Sequence, residues 1–125
     1  MSVDIAPDLT VARRLLAAAD TDIVAFFGFF TEETRFRMGN SDVVVGKDAI
    51  MAWVGQYLGS VAGMRHEVLE EFYGADTAAL RVDVTYTMGS GASFTLPAIT
   101  RTRICGDKVV EYLIYMDPSP VAEAS

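Results

Sequence analysis

Leu80-Arg81-Val82-Asp83-Val84-Thr85-Tyr86-Thr87-Met88 decides how the chain is read. Apolar and polar residues alternate without a break, which is the two-residue period of a strand with one face toward a core. The same period, rich in Val, Thr, Tyr, Phe and Ile, recurs on either side over residues 65–72, 92–104 and 109–116. Gly74-Ala75-Asp76, Met88-Gly89-Ser90-Gly91 and Cys105-Gly106-Asp107 separate these runs, and turns this short make neighbouring strands antiparallel. The second half of the chain is therefore a four-stranded meander. Upstream the period changes to three and four. Leu9, Val11, Ala12, Leu15, Leu16 and Ala19 form one helical stripe opposite Arg13 and Arg14. Asp20-Thr21-Asp22 caps a second short helix, Ile23 to Phe30, and Lys47 to Leu58 forms a third with Ile50, Met51, Trp53, Val54, Tyr57 and Leu58 on its apolar side. Between them Thr34 to Met38 and Val43 to Val45 read as two short strands around the turn Gly39-Asn40-Ser41-Asp42. Helices first and a meander after them give an α+β domain whose sheet the helices must cover.

The domain takes in the whole chain of 125 residues, with 118–125 expected as a flexible tail, and 51% hydrophobic residues are enough for a core. Ten Lys and Arg against seventeen Asp and Glu give a net charge of −7, with no basic stripe to follow a phosphate backbone, so nucleic acid is not an expected partner. Cys105 stands alone, and one His with one Cys builds no zinc site; no metal and no cofactor are expected. Asp4 and Asp8 replace the basic start of a secretory leader, and the longest apolar run, Ile23 to Phe30, is under half a membrane span. The expectation is a cytoplasmic protein that does not enter membranes. Apolar residues fall on both sides of the last strand, with Val110, Tyr112, Ile114 and Met116 on one side and Val109, Leu113 and Tyr115 on the other. If helices cover one face of the sheet, a second subunit covers the other.

Two of the candidate catalytic residues lie on one strand. Arg81 and Asp83 share one face of their strand, an arrangement in which a guanidinium orients a carboxylate used as base or acid. Parity leaves two readings open: the ionic side with Thr85 and Thr87 looks into a sheltered hollow, or it is a solvated face while Leu80, Val82, Val84 and Tyr86 look into the core. Asn40 and Asp42 of the turn, and Asp117 ahead of Pro118, read as turn and capping chemistry. Gly89-Ser90-Gly91 is a hairpin tip with no helix after it, not a phosphate loop.

The element order, with Val45-Gly46-Lys47-Asp48-Ala49-Ile50, Arg65-His66-Glu67-Val68, Leu96-Pro97-Ala98, Gly106-Asp107-Lys108-Val109-Val110 and Tyr115-Met116-Asp117, resembles the nuclear transport factor 2-like superfamily over about residues 9–120. More narrowly it is similar to the SnoaL-like, ketosteroid isomerase-like branch. The resemblance implies a cone-shaped, strongly bent antiparallel sheet wrapped around the N-terminal helices, the cystatin-like roll. It also implies a deep apolar pocket and a homodimer through the outer sheet face. The branch holds isomerases, dehydratases, polyketide cyclases, epoxide hydrolases and non-catalytic binders, so the fold does not choose among them.

Residue by residue, the resemblance sorts these activities. Arg81-Val82-Asp83 is similar to the Arg-x-Asp of the limonene epoxide hydrolase group, but Ile114, Phe36 and Met38 stand where that group needs an Asp, a Tyr and an Asn. Both ketosteroid isomerase carboxylates are missing near Phe36 to Met38 and Pro97. His66 matches a catalytic His of scytalone dehydratase-like and bile-acid dehydratase-like members, where a polar residue on the next strand, here Asp83, would fix the ring tautomer. Tyr112, Tyr86, Ile114, Met116, Phe36, Met38, Trp53 and Tyr57 are the residues expected at the ligand, most of them by match to pocket-lining positions. The expected function is cofactor-independent acid–base chemistry on a small apolar carbonyl or hydroxyl compound, with Asp83 and His66 handling the proton, Arg81 supporting them, and Tyr86 or Tyr112 donating a hydrogen bond. The alternative is a ligand-binding or assembly module without chemistry.

Overall fold

A computed structural model describes residues 6–124; Asp4 and the last residue of the expected tail lie outside them. The elements run α1 (Val11–Thr21), α2 (Ile23–Gly28), β1 (Phe30–Met38), β2 (Val44–Val45), α3 (Lys47–Tyr57), β3 (Val61–Tyr73), β4 (Thr77–Met88), β5 (Ser93–Cys105), β6 (Lys108–Tyr115) and α4 (Ser119–Glu123). The apolar stripe of α1 buries Val11, Ala12, Leu15 and Leu16. The helix ends where Asp22 leaves helical geometry and its carboxylate accepts the backbone N–H of Ala25, capping α2.

All six strands form one sheet in the order β2-β1-β6-β5-β4-β3. The expected antiparallel meander is present as β3 to β6. It continues across β6 to β1, and that pair is parallel. The result is an α+β fold with a curved, unclosed sheet around the N-terminal helices. The core packs Phe26, Phe30, Phe36 and Tyr112 from α2, β1 and β6 against Leu15 and Leu16 of α1, Ile50 and Val54 of α3, and the inward residues of β4. Pro97 sits inside β5 without disrupting it, because β6 ends at Tyr115 opposite Ile99 and leaves no strand on that side of Pro97. Gly46 turns β2 into α3 at a φ of +96°, and a Cβ there would come within 3.1 Å of the carbonyl oxygen of Glu32.

Four local expectations need correction. The second helix stops at Gly28 and not Phe30, since Phe30 already pairs with Val109 of β6 and the Phe29 carbonyl accepts the Val109 N–H. β3 opens at Val61, not Arg65: Gly63 lies inside it opposite Thr87, and on an edge strand a glycine is tolerated. On β6 a shift of register between Arg103 and Ile104 moves Val109 inward and leaves Val110 on the exposed side, so those two exchange the faces that alternation assigned them. Residues 119–123 of the expected tail have regular structure. They form a helix that follows Pro118 as its N-cap and buries Val121.

No described helix is long and apolar enough to cross a membrane.

Candidate functional site

The parity of β4 settles which side of the strand faces the interior. Ala78, Leu80, Val82, Val84, Tyr86 and Met88 are buried, and Arg81, Asp83, Thr85 and Thr87 lie on the outer face. Arg81 is bonded there to Glu70 of β3, Asp83 stands between Glu67 and Pro97, and the Thr85 and Thr95 hydroxyls meet at 2.8 Å. Arg81 and Asp83 therefore do not belong to the interior site, and Asp83 cannot orient His66. The hydrophobic side of an amphipathic strand has taken the interior, as burial of four large apolar side chains requires.

His66 is on the inner face of β3, opposite Val84. Its partner comes from the first helix. The Nδ1 atom lies 2.6 Å from Asp20 Oδ1, and the His66 backbone N–H donates to Asp20 Oδ2 at 2.8 Å. A carboxylate can only accept, so Nδ1 carries the proton in this bond and Nε2 is the nitrogen left to exchange one. The pair is sheltered, with side-chain exposures of 9% for His66 and 17% for Asp20. Asp20 was read from sequence as a capping residue. The signal that would have found it is its spacing: four residues after Leu16, it carries the apolar stripe of α1 onward with a carboxylate, directly beside Ala19.

Beside this pair lies a narrow cavity of about 40 Å³. Phe36, Met38, Tyr57, Tyr86, Tyr112, Ile114 and Met116 line it. Sequence reasoning did not name Met64, Val84, Thr100 or the helix residues Ile23, Phe26, Val54 and Leu58, which line it too. Trp53 is displaced from the cavity wall. It stacks on Tyr57 with ring centroids 5.5 Å apart, packs on Phe36, and faces the adjoining cleft formed with Met38, Met116 and Pro118. Three methionines, Met38, Met64 and Met116, give the wall side chains that re-pack easily around a guest.

Polar groups in this lining are few. Tyr57 donates its hydroxyl hydrogen to the Tyr86 oxygen at 3.1 Å, and the Tyr86 hydroxyl itself has only the Met116 sulfur at 4.0 Å as acceptor. Burial pushes the ionisation of Tyr86 far above the ordinary tyrosine range, with Tyr57 adding to the shift, and burial raises Tyr57 as well. Tyr112 is pushed up first by burial and then by the negative charge of Asp20. All three stay protonated and able to donate. Thr100 lies on the inner face of β5 between Leu80 and Ile114; it is 2% exposed, and its hydroxyl has no hydrogen-bond partner. No Lys or Arg stands among the described lining residues. No group of three or more potential metal ligands occurs among the described residues.

The sequence pattern of the SnoaL-like domain matches residues 11–112. Solved structures share the fold at low identity. A protein assigned to the SnoaL-like polyketide cyclases from Jannaschia sp. CCS1 superposes with a TM-score of 0.79 at 16% identity, covering 99% of this chain and 94% of its own. A nuclear transport factor 2-like protein from Anabaena variabilis gives 0.76 at 18% identity, covering 94% of each chain. A protein of ketosteroid isomerase-like fold from Catenulispora acidiphila, crystallised with trimethylamine, gives 0.73 at 14% identity, covering 84% of this chain and 83% of its own. No curated protein matches the sequence. The domain pattern runs from the first residue of α1 to the cavity tyrosine of β6, and the chain belongs to the SnoaL-like family.

Proposed function

We propose that the protein is a cofactor-independent acid–base enzyme that moves a proton on a small, largely apolar carbonyl or hydroxyl compound, in a reaction of isomerase, dehydratase or polyketide-cyclase type. The observation that carries this reading is His66, held by Asp20 in a sheltered pair, on the wall of an apolar cavity. Asp20 holds the ring by two bonds, one to Nδ1 and one to the backbone N–H of the same residue. The imidazole is thereby fixed in the tautomer whose Nε2 lone pair is free. In the proposed step a proton leaves the carbon next to a carbonyl for Nε2, and the electron pair moves onto the carbonyl oxygen. Tyr86 can turn its hydroxyl from the Met116 sulfur toward that oxygen while still accepting from Tyr57. Donors already in place where negative charge develops lower the barrier more than they would in water. Returning the proton to another atom completes an isomerisation, expelling hydroxide with it completes a dehydration, and attack of the carbanion on a second carbonyl closes a ring. A lining without Lys or Arg offers no fixed positive charge to a phosphate or carboxylate, which favours uncharged substrates.

Hydrogen–deuterium exchange tests the proton step without knowledge of the product. In heavy water the protein should catalyse deuterium uptake beside the carbonyl of small cyclic ketones such as 2-tetralone, followed by NMR. H66Q and D20N should lose that catalysis. Uptake no faster than with H66Q across a panel of such ketones would leave a ligand-binding module in place of an enzyme.

A homodimer through the outer sheet face belongs to the same reading. Ile99 and Tyr115 face each other across β5 and β6 with exposures of 43% and 58%, and Arg101 and Glu111 pair beside them. Sedimentation of the wild type against I99K tests it: the wild type should run as a dimer and the variant as a monomer.

A further inference from the structure

We propose that Thr100 is the specificity-determining residue of the cavity, and that it selects ligands carrying a second oxygen function at the far end of an apolar frame from the one that meets His66. The proposal rests on the reading of the cavity as a ligand site and needs no catalysis. Its starting point is an unmet hydrogen bond. Buried hydroxyls in folded proteins are almost always partnered, because removal from water without compensation is costly. Thr34, equally buried, shows the ordinary solution: its hydroxyl donates to the Val109 carbonyl at 2.6 Å and accepts the Thr31 N–H at 2.8 Å. Thr100 has neither kind of bond, and its neighbours across the sheet, Leu80 and Ile114, are apolar. Valine has the same shape and would fill this place without the penalty.

The cavity is the side from which a partner can reach Thr100. Thr100 is part of the cavity wall, together with Tyr112, Ile114 and Phe36. A threonine both donates and accepts, so it suits a carbonyl or a hydroxyl equally. The frame between the two oxygens is set by the sheet. His66 is on β3 and Thr100 on β5 with β4 between them, and Thr100 lies four residues along β5 from Leu96, which shares the cross-strand row of His66 and Val84. Two strand spacings alone separate the two backbones by roughly 10 Å of sheet. Vicinal oxygens cannot reach both groups. Oxygens at opposite ends of a fused two-ring frame can, with Met38, Met64 and Met116 moving to admit the rings.

Binding of three probes, read by the fluorescence of the single tryptophan stacked on Tyr57, tests this directly. They are 2-naphthol, the vicinal 2,3-dihydroxynaphthalene and the extended 2,6-dihydroxynaphthalene. The wild type should bind the extended diol about tenfold more tightly than the other two, the order expected of one buried hydrogen bond. T100V should lose that preference while T100S keeps it, and unliganded T100V should melt no lower than wild type because no native bond is removed. An unchanged preference in T100V, no preference in the wild type, or a T100V melting point several degrees lower would each overturn the role of Thr100 alone. Failure of all three probes to bind would overturn it together with the ligand-site reading, whereas loss of deuterium exchange with binding intact would leave it standing.

Discussion

The two faces of β3 and β4 carry the same kinds of side chain to opposite ends. On the outer face Glu67, Glu70, Arg81 and Asp83 are close together, and the pair made by Arg81 and Glu70 is about half exposed on each side. On the inner face, beside the cavity, a lone imidazole, His66, lies among Met64, Val68, Val82, Val84 and Tyr86, and it is held by a carboxylate from another element. Water screens the first group and makes each of its members replaceable. Exclusion of water from the second makes each polar atom consequential. Density of charge along a strand is thus a poor guide to chemistry; a lone polar residue on the side that must be apolar is a better one.

The largest effect should come from breaking the inner pair. H66Q or D20N is expected to lower proton exchange by about 10²- to 10⁴-fold, the usual contribution of a positioned general base, measured by NMR in heavy water. Next comes the packing that shelters it. Phe36 is fully buried against Trp53 and Tyr112, and F36A should cost roughly 3–5 kcal/mol in urea unfolding. A smaller effect lies where α1 meets β3. The Arg13 guanidinium and then the Tyr73 hydroxyl hold the Glu71 carboxyl at about 2, below its usual 4.5. A lowered carboxyl favours the folded state fully above 4.5 and loses that contribution as the pH falls through 2, so the acid limb of the stability curve should be shallower in E71Q than in wild type. The smallest effect belongs to the outer face. R81A and D83N should each stay within about 0.5 kcal/mol of wild type and leave proton exchange unchanged. A large loss of exchange in D83N would reverse the comparison and return Asp83 to the mechanism.

The sequence was most legible where one period governed a long segment. The four meander strands, the stripe of α1 and the apolar face of α3 follow from alternation, and so do most of the cavity residues, since inward positions on a bent sheet must converge. Parity alone could not say which side of β4 was inside, although the apolar side had the stronger claim: burying Leu80, Val82, Val84 and Tyr86 outweighs hiding one ion pair. Bulges were illegible, because an extra residue leaves composition untouched while exchanging faces, as at Val109 and Val110. The partner of His66 was missed for a different reason. An aspartate at a helix end has a sufficient local explanation, and its bond spans 46 residues that no local pattern connects. Thr100 was hidden among the threonines of β5, each of which suits a strand on propensity alone.

The parallel seam between β1 and β6 fixes an order of assembly. Apart from the two-residue β2, β1 has no neighbour but β6, which the ribosome synthesises some seventy residues later. Contacts so distant along the chain make late, slow steps in folding. Until the chain has emerged past Tyr115, Phe36 and Met38 lack the strand that turns them into a wall. The hollow is therefore among the last parts of the molecule to be completed.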